Sequence, residues 1–143
     1  MEVAAPPGIL GVPWGAIGWT VLFAGTGMLL MLAAVIVFDL LSPVRVLRDV
    51  RAGNPAVGWT VAGLLVSTGI VMHSAMLHNS GWLQAVLYSA LGIALEYAAF
   101  FLWELATPGW SLNRALEEGN TTVGIITCGL FIAIGLVVAG AFS

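Results

Sequence analysis

The chain has 143 residues, enough for one compact domain, but 60% are hydrophobic and only 8% are charged, which excludes an ordinary water-soluble domain. The net charge of -3, with a single cluster of three arginines beside Asp49, argues against a nucleic-acid partner. One cysteine, Cys128, excludes an intrachain disulfide.

Charged residues fall in clusters, and the uncharged stretches between them predict membrane spans. A bilayer core about 30 Å thick needs roughly 20 apolar residues in a helix rising about 1.5 Å per residue. Transmembrane strands would alternate lipid-facing and lumen-facing side chains, whereas residues 28–37 are apolar on every face. Four helices meet the requirement, and we place them at Ile17 to Phe38, Pro55 to Met76, Trp82 to Trp103 and Thr121 to Phe142.

Basic residues near the span ends predict the orientation of the chain. All four lie in the connections at residues 40–53 and 105–119: Arg45, Arg48, Arg51 and Arg114. Because connections rich in arginine stay on the cytoplasmic side, we expect these two loops to be cytoplasmic and both termini to be external.

An internal repeat organises the chain. An offset of 65 residues aligns Gly27 with Gly92 and Asp39 with Glu104, and an offset of 66 aligns later positions such as Gly63 with Gly129. We therefore expect one membrane domain, residues 1–143, built from repeats at 17–76 and 82–142. Each repeat crosses the membrane twice, so the second enters in the same orientation as the first, and we expect a pseudo-two-fold axis normal to the membrane.

Each repeat carries signals for a short amphipathic helix between its two spans. Ser42-Pro43 and Thr107-Pro108 resemble an N-cap hydroxyl followed by proline at the first helical position. In the first copy Val44, Leu47 and Val50 share one face, which predicts a helix lying on the cytoplasmic surface.

Glycine and asparagine recur where each short connection turns into the next span. Gly53 and Gly119 can take the left-handed conformation that ends a helix, and Asn54 and Asn120 can cap the helices that follow. Further glycines along the second and fourth spans favour close helix packing.

Together these residues resemble the bacterial membrane family catalogued as domain of unknown function 350. The resemblance covers nearly the whole chain after about residue 17. Its features fall on these positions: Asp39, Pro43, Gly53 and Asn54, and Glu104, Pro108, Gly119 and Asn120. It implies an all-α integral membrane protein of two tandem two-helix units in the bacterial inner membrane. It implies no reaction.

Missing residue types exclude several chemistries. The chain has no lysine, which rules out a Schiff base and a phosphate-binding P-loop. His73 and His78 are five residues apart with no acid nearby, so they do not predict a metal site. We expect no catalytic residues, no cofactor and no enzymatic activity.

Glu96 is the exception, because it lies eight residues inside the third span from Glu104, about 12 Å from the cytoplasmic end. Its repeat mate is the apolar Met31. Ser89 and Gly92 share its helix face, and two threonines expected at similar depth could complete a polar seam: Thr60 and Thr127. Two interpretations stay open, a neutral structural hydrogen bond and an intramembrane site for a proton, cation or substrate.

Asp39 and Glu104 occupy the predicted cytoplasmic ends of their spans, where a negative charge opposes the helix dipole. They could pair with Arg45, Arg48 or Arg114, cap the following short helix, or line a vestibule. Pairing with arginine is the interpretation we favour.

Two classes of function remain. Four spans are too few to enclose a pathway, so an ion- or proton-conducting role requires self-association or a larger membrane complex. The alternative is a non-conducting accessory or scaffold subunit whose cytoplasmic helices dock a partner or the lipid surface. A small multidrug exporter is disfavoured because the carboxyl lies in the third span and because the chain is an internal repeat.

Overall fold

The computed structural model describes residues 14–79, 81–107 and 111–142. These residues form six helices and no strand: α1 (Trp14–Leu41), α2 (Val46–Arg51), α3 (Pro55–His78), α4 (Trp82–Ala106), α5 (Leu112–Glu117) and α6 (Thr121–Ala141). Four of them, α1, α3, α4 and α6, are long and apolar enough to cross a membrane. The predicted all-α membrane fold is therefore confirmed, and the predicted span ends differ by three residues at most, as at Ile17 against Trp14.

The outward surface of the four long helices is apolar. Met28, Leu105 and Val137 are each more than 70% exposed. In water such a surface would be strongly unfavourable, whereas acyl chains solvate it at no cost. The exposed side chains therefore mark the faces that contact lipid or another protein.

The tightest packing in the bundle joins α3 to α6. A Cβ atom on Gly63 would lie 2.5 Å from the Cα of Cys128, and one on Gly124 would lie 2.5 Å from the carbonyl oxygen of Ala56. Near the other end Ser74 donates a hydrogen bond of 2.8 Å to the carbonyl of Ala139. The two helices start together and end together, so they run parallel, and their glycines allow the backbones to touch.

This packing does not follow the expected two-fold axis. A two-fold relation that brings Cys128 over Gly63 would also bring Ala62 over Gly129. Among the described residues, however, no atom lies within 4 Å of a Cβ atom at Gly129. Gly58, the mate of Gly124, is equally open. The expectation of a pseudo-two-fold axis is therefore wrong, because α3 and α6 meet through different faces.

A cluster of aromatic rings holds α1 against α4 and α6. The ring of Phe38 lies edge-on to Phe100 and to Phe131, with centroids 5.3 and 5.5 Å apart, and the last two stack at 5.1 Å. Beside them the Tyr97 hydroxyl donates to the carbonyl of Ala34 in α1. Such pairs add about 0.5–1.5 kcal/mol each beyond burial, so α1 is anchored at this end.

Both helix corners have the geometry that their sequence indicates. Gly53 and Gly119 have φ angles of +80° and +78°, which only glycine adopts readily. Asn54 accepts from the backbone N–H of Ala56 at 3.0 Å, and Asn120 accepts from that of Val123 at 3.3 Å. The chain thus turns sharply and starts α3 and α6 with satisfied N–H groups.

The expected start of the first short helix at Ser42-Pro43 is wrong. α2 begins at Val46, and the Ser42 hydroxyl instead accepts from the N–H of Val44 at 3.2 Å in a tight turn. Pro43 has no N–H and cannot extend α1, so the turn follows directly and carries Val44 into the core, where it is 1% exposed.

The second short helix also starts later than expected. The Thr107 hydroxyl donates back to the carbonyl of Trp103 at 3.0 Å and so belongs to the end of α4. Ser111 is the residue that caps α5, accepting from the N–H of Arg114 at 3.2 Å. Pro108 lies outside the described residues.

The first short helix, α2, buries other side chains than the apolar face that its sequence predicts. In α2, Val46 and Asp49 are buried, whereas Leu47 and Val50 are 41% and 42% exposed. Leu47 and Val50 therefore face away from the bundle. The arrangement of the two repeats as superimposable, like-oriented hairpins stays a prediction.

Candidate functional site

Glu96 is completely buried in α4, and its carboxyl points at α3. Ser89 and Gly92 lie on the same buried face of α4, as its helical spacing predicts. Ten residues separate Glu96 from the end of α4 at Ala106, which is about 15 Å of helix. The carboxyl is thus near the middle of a membrane-length helix, with no solvent contact.

Two hydroxyls on α3 meet this carboxyl. Ser67 hydrogen bonds to Glu96 Oε1, and Thr68 donates to Oε2 at 3.4 Å. Ser67 also lies 2.7 Å from the carbonyl oxygen of Phe131 in α6. The site therefore connects α3, α4 and α6 through one polar cluster in an apolar bundle.

The hydrogen atoms of this cluster can be counted. The Ser67 hydroxyl has one hydrogen, and the carbonyl of Phe131 can only accept. Both bonds of Ser67 form together only if the Glu96 carboxyl supplies the second hydrogen. The fully bonded cluster is therefore the one with a protonated Glu96, which also avoids placing a charge in a low-dielectric interior.

The threonines expected beside Glu96 are not its partners. Thr60 donates to the carbonyl of Ala56 at 3.1 Å, and Thr127 donates to that of Val123 at 2.8 Å. Both are buried, but each satisfies its own helix one turn back, as buried threonines in membrane helices do. The structure thus does not bring the hydroxyls of Thr60 and Thr127 to Glu96 as hydrogen-bond partners.

The depth of each residue along its helix explains why Glu96 meets Ser67 and not Thr60. Ser67 lies 12 residues after Pro55, about 18 Å into α3, whereas Thr60 lies only about 8 Å in. Glu96, at about 15 Å, is nearer to the level of Ser67. Ser67 is not among the residues that the sequence predicts beside Glu96, although its depth in the second span was the signal that could have identified it.

Gly135 covers the cluster from α6. A Cβ atom there would collide with the Ser67 hydroxyl and lie 3.1 Å from Glu96 Oε1. Any larger residue would push α6 away from α3.

Within residues 14–79, 81–107 and 111–142, no three histidine, cysteine, aspartate or glutamate side chains lie close enough to hold a metal ion.

Asp39 and Glu104 cap the two short helices. Asp39 Oδ1 accepts from the N–H of Leu47 at 3.0 Å, and Glu104 Oε2 accepts from the N–H of Leu112 at 3.0 Å. Glu104 also accepts from the Ser111 hydroxyl at 2.9 Å. The unfavourable charge at the end of one helix is thus placed at the favourable N-terminus of the next.

Arginine pairing, the interpretation favoured from the sequence, does not involve these two acids. In the part of the chain that the structure describes, Arg48 pairs with Asp49 at 2.8 Å and Arg114 with Glu118 at 3.0 Å. The hydrogen bond and charge of Asp49 raise the pKa of Arg48 above its usual value. The second carboxylate oxygen of Asp49 is buried and has no hydrogen-bond partner among the described residues.

Comparison with known proteins places this chain in a family. The family model described as Domain of Unknown Function (DUF350) matches residues 11–142. The chain is also similar to the UPF0719 transmembrane protein YshE of Bacillus subtilis (strain 168), with 27% identity over 104 residues, 72% of this chain and 77% of that protein. No solved structure matches it. Because the family model spans almost the whole chain, this membrane protein belongs to the DUF350 family.

Proposed function

We propose that this protein is a proton-conducting component of an oligomeric assembly in the bacterial inner membrane, and that Glu96 is the group that binds the proton. The supporting observation is a fully buried carboxyl, near the middle of a membrane-length helix, bonded to hydroxyls of a neighbouring helix. An ionisable residue at that depth costs a few kcal/mol on insertion scales, and such residues commonly mark ion or proton pathways.

The cluster contains a proton donor and an adjacent hydroxyl. A protonated carboxylic acid can release its hydrogen through such a hydroxyl, which can accept one hydrogen and donate another. The Phe131 carbonyl that accepts from Ser67 cannot pass a proton on, so a water molecule that reaches the cluster would have to take the proton up. Conduction through it further requires water to reach both sides of Glu96, which an assembly of several copies would have to provide.

The orientation of the protein belongs to the same proposal. With arginines confined to residues 40–53 and 105–119, those connections face the cytoplasm and both termini face outward. The lipid bilayer and further copies of the chain are then its partners. We assign it no enzymatic reaction, no cofactor and no nucleic-acid partner.

Proton flux in liposomes tests the role of Glu96. In Glu96→Gln the side-chain amide keeps the shape and can still donate to Ser67, but it carries no exchangeable acid proton. We expect flux to fall at least tenfold while the protein remains folded and assembled. Ser89→Ala is the matched control, because Ser89 is buried on the same face of α4 and bonds only to the carbonyl of Ala85.

One observation favours the alternative function of a non-conducting accessory or scaffold subunit. The hydrogen bonds of Glu96 join α3 to α4, and that of Ser67 joins α3 to α6. The cluster therefore also stabilises the packing of these three helices. On that account Glu96→Gln changes neither flux nor assembly. Equal flux from wild-type, Glu96→Gln and protein-free liposomes would reject the conducting role and leave the scaffold.

A further inference from the structure

The interface between α3 and α6 is made by two unlike faces. The face contributed by α3, which we call face A, consists of Ala56, Thr60, Gly63, Ser67 and Ser74. The face contributed by α6, which we call face B, consists of Gly124, Cys128, Phe131, Gly135 and Ala139. Face A of one repeat therefore packs on face B of the other.

Because the chain is a repeat, each of these helices carries both faces. The offset of 66 places a second face A on α6, at Thr122, Ile126, Gly129, Ala133 and Gly140. All five residues of that second face are exposed, and nothing lies within 4 Å of a Cβ atom at Gly129 or Gly140. Face A is thus covered by another helix on α3 and exposed on α6.

The matching second face B lies on α3, at Gly58, Ala62, Leu65, Gly69 and His73. Each of these residues is exposed or half-exposed. Nothing lies within 4 Å of a Cβ atom at Gly58, and Gly69 meets only the flexible end of Met31. One copy of each face is therefore occupied inside the chain, and one copy of each remains open.

An open groove of about 700 Å³ runs beside this second face B, between α1 and α3. Its wall includes Gly27, Met31, Gly69, Met72 and His73. Their repeat mates are Gly92, Glu96, Gly135, Val138 and Ala139.

In the second repeat those mates enclose α3 itself. Gly92 contacts the side chain of Val71, Glu96 and Gly135 contact Ser67, and the carbonyl of Ala139 accepts from Ser74. The groove between α1 and α3 therefore corresponds to the space between α4 and α6. That second space is filled by α3, whereas the groove holds no helix of the described chain.

We propose that the groove receives α6 of a second copy of this chain, so that the open face A of one copy packs on the open face B of the next. The new interface continues the one inside the chain, since α6 already presents face B to its own α3. It keeps neighbouring copies in the same membrane orientation. Such a contact is heterologous, so repeated addition gives a closed ring or an open array.

Small residues suit this face of α6 to a helix partner. Gly129, Ala133 and Gly140 let a neighbouring backbone approach closely, as Gly63 does inside the chain.

A polar contact made inside the chain at the Gly-Asn corner before α3 should also form between copies, at the corner before α6. Asn54 donates to the carbonyl of Leu116 at 2.8 Å, so Asn120 should donate to the carbonyl of Val50 in the next copy.

Disulfide cross-linking in membranes tests this surface. In a cysteine-free Cys128→Ala background, Leu65→Cys and Ala133→Cys place thiols at the mates of Phe131 and Ser67. Inside the chain the Ser67 hydroxyl lies 2.7 Å from the backbone carbonyl oxygen of Phe131. A chain carrying both cysteines should give a ladder of covalent oligomers on oxidation. A chain with only Leu65→Cys, or only Ala133→Cys, should not cross-link to copies of itself. When these two single-cysteine chains are co-expressed, they should form covalent dimers with each other.

Two controls separate this interface from chance collision and from misfolding. Val66→Cys with Ala133→Cys should not cross-link, because the 50% exposed side chain of Val66 projects about 100° around α3 from that of Leu65. Ala133→Phe should lower the oligomer fraction at least tenfold at unchanged thermal stability, since Ala133 is exposed in the single chain. Ile125→Phe should leave the oligomer intact.

The proposal rests on the self-association included in the proposed function but not on conduction. Glu96→Gln should therefore cross-link like the wild type whatever the flux assay shows. A monomer in lipid nanodiscs without cross-links would overturn the proposal and assign the groove to lipid. Efficient cross-linking by Ala133→Cys alone would also overturn it, because that result requires an interface in which the same face meets itself.

Discussion

At the scale of single residues, the sequence locates the unusual group but not its surroundings. Glu96 is the lone carboxyl well inside a predicted span, which identifies it without coordinates. Its partners Ser67 and Thr68 depend on how far α3 is displaced along α4. Hydroxyls at Thr60 and Thr127 were equally plausible by composition, and only helix contacts distinguish a bond to a neighbour from a bond to the residue's own helix.

Ser67→Ala tests how much this cluster stabilises the bundle. The substitution leaves both Glu96 Oε1 and the carbonyl of Phe131 without the hydroxyl that now contacts them. Because buried polar groups without partners are costly even in a membrane, we expect unfolding to be easier by about 1–2 kcal/mol.

The measurement is unfolding in detergent, compared with Ser89→Ala, which loses only a bond within α4. If the two variants have the same stability, Ser67 contributes packing alone and the hydrogen-bonded cluster has no energetic role.

At the scale of helices, local signals predict most of the turns. Gly53 with Asn54 and Gly119 with Asn120 specify a left-handed residue followed by a helix cap, and both corners have this geometry. The start of α2 is different, since its cap is Asp39, seven residues upstream of Val46 and on another helix. A pattern of adjacent residues such as Ser42-Pro43 cannot reveal a cap delivered from the preceding helix.

Glycine substitutions test the close contact between α3 and α6. In Gly63→Ala the new methyl would lie 2.5 Å from the Cα and 2.7 Å from the carbonyl oxygen of Cys128, so the two backbones must separate. We expect a loss of about 1–3 kcal/mol in the free energy of unfolding.

Gly25→Ala provides the control, because nothing lies within 4 Å of its Cβ position in α1. Alanine favours a helix over glycine by about 0.5–1 kcal/mol, so this variant should be no less stable than the wild type. Should Gly63→Ala behave like Gly25→Ala, α3 and α6 are not in backbone contact.

At the scale of the whole molecule, hydropathy predicts four spans, and charge predicts which connections share a side of the membrane. The repeat itself is visible in the sequence because equivalent glycines and asparagines recur in register. The way in which the two repeats meet is not visible there, because α3 and α6 each carry small residues on more than one face. Only the contacts of Gly63 and the open surroundings of Gly129 reveal a heterologous arrangement.

Cysteine accessibility tests the orientation. In a Cys128→Ala background, a membrane-impermeant thiol reagent should label Asn79→Cys from the outside of intact spheroplasts and should label Arg45→Cys only in inverted vesicles. This pattern follows from the arginines of the first and third connections. The reverse labelling pattern would invert the proposed topology.

Infrared spectroscopy tests most directly whether Glu96 is a buried carboxylic acid that exchanges its hydrogen. The difference spectrum between wild-type and Glu96→Gln protein in liposomes should contain the carbonyl stretch of a protonated carboxyl, because the hydrogen count around Ser67 requires one. If the site conducts, that band shifts to lower frequency when the vesicles are transferred to D2O. An absent band would show that Glu96 is not protonated, and a band that stays unshifted after prolonged exchange would show that its hydrogen is not transferred.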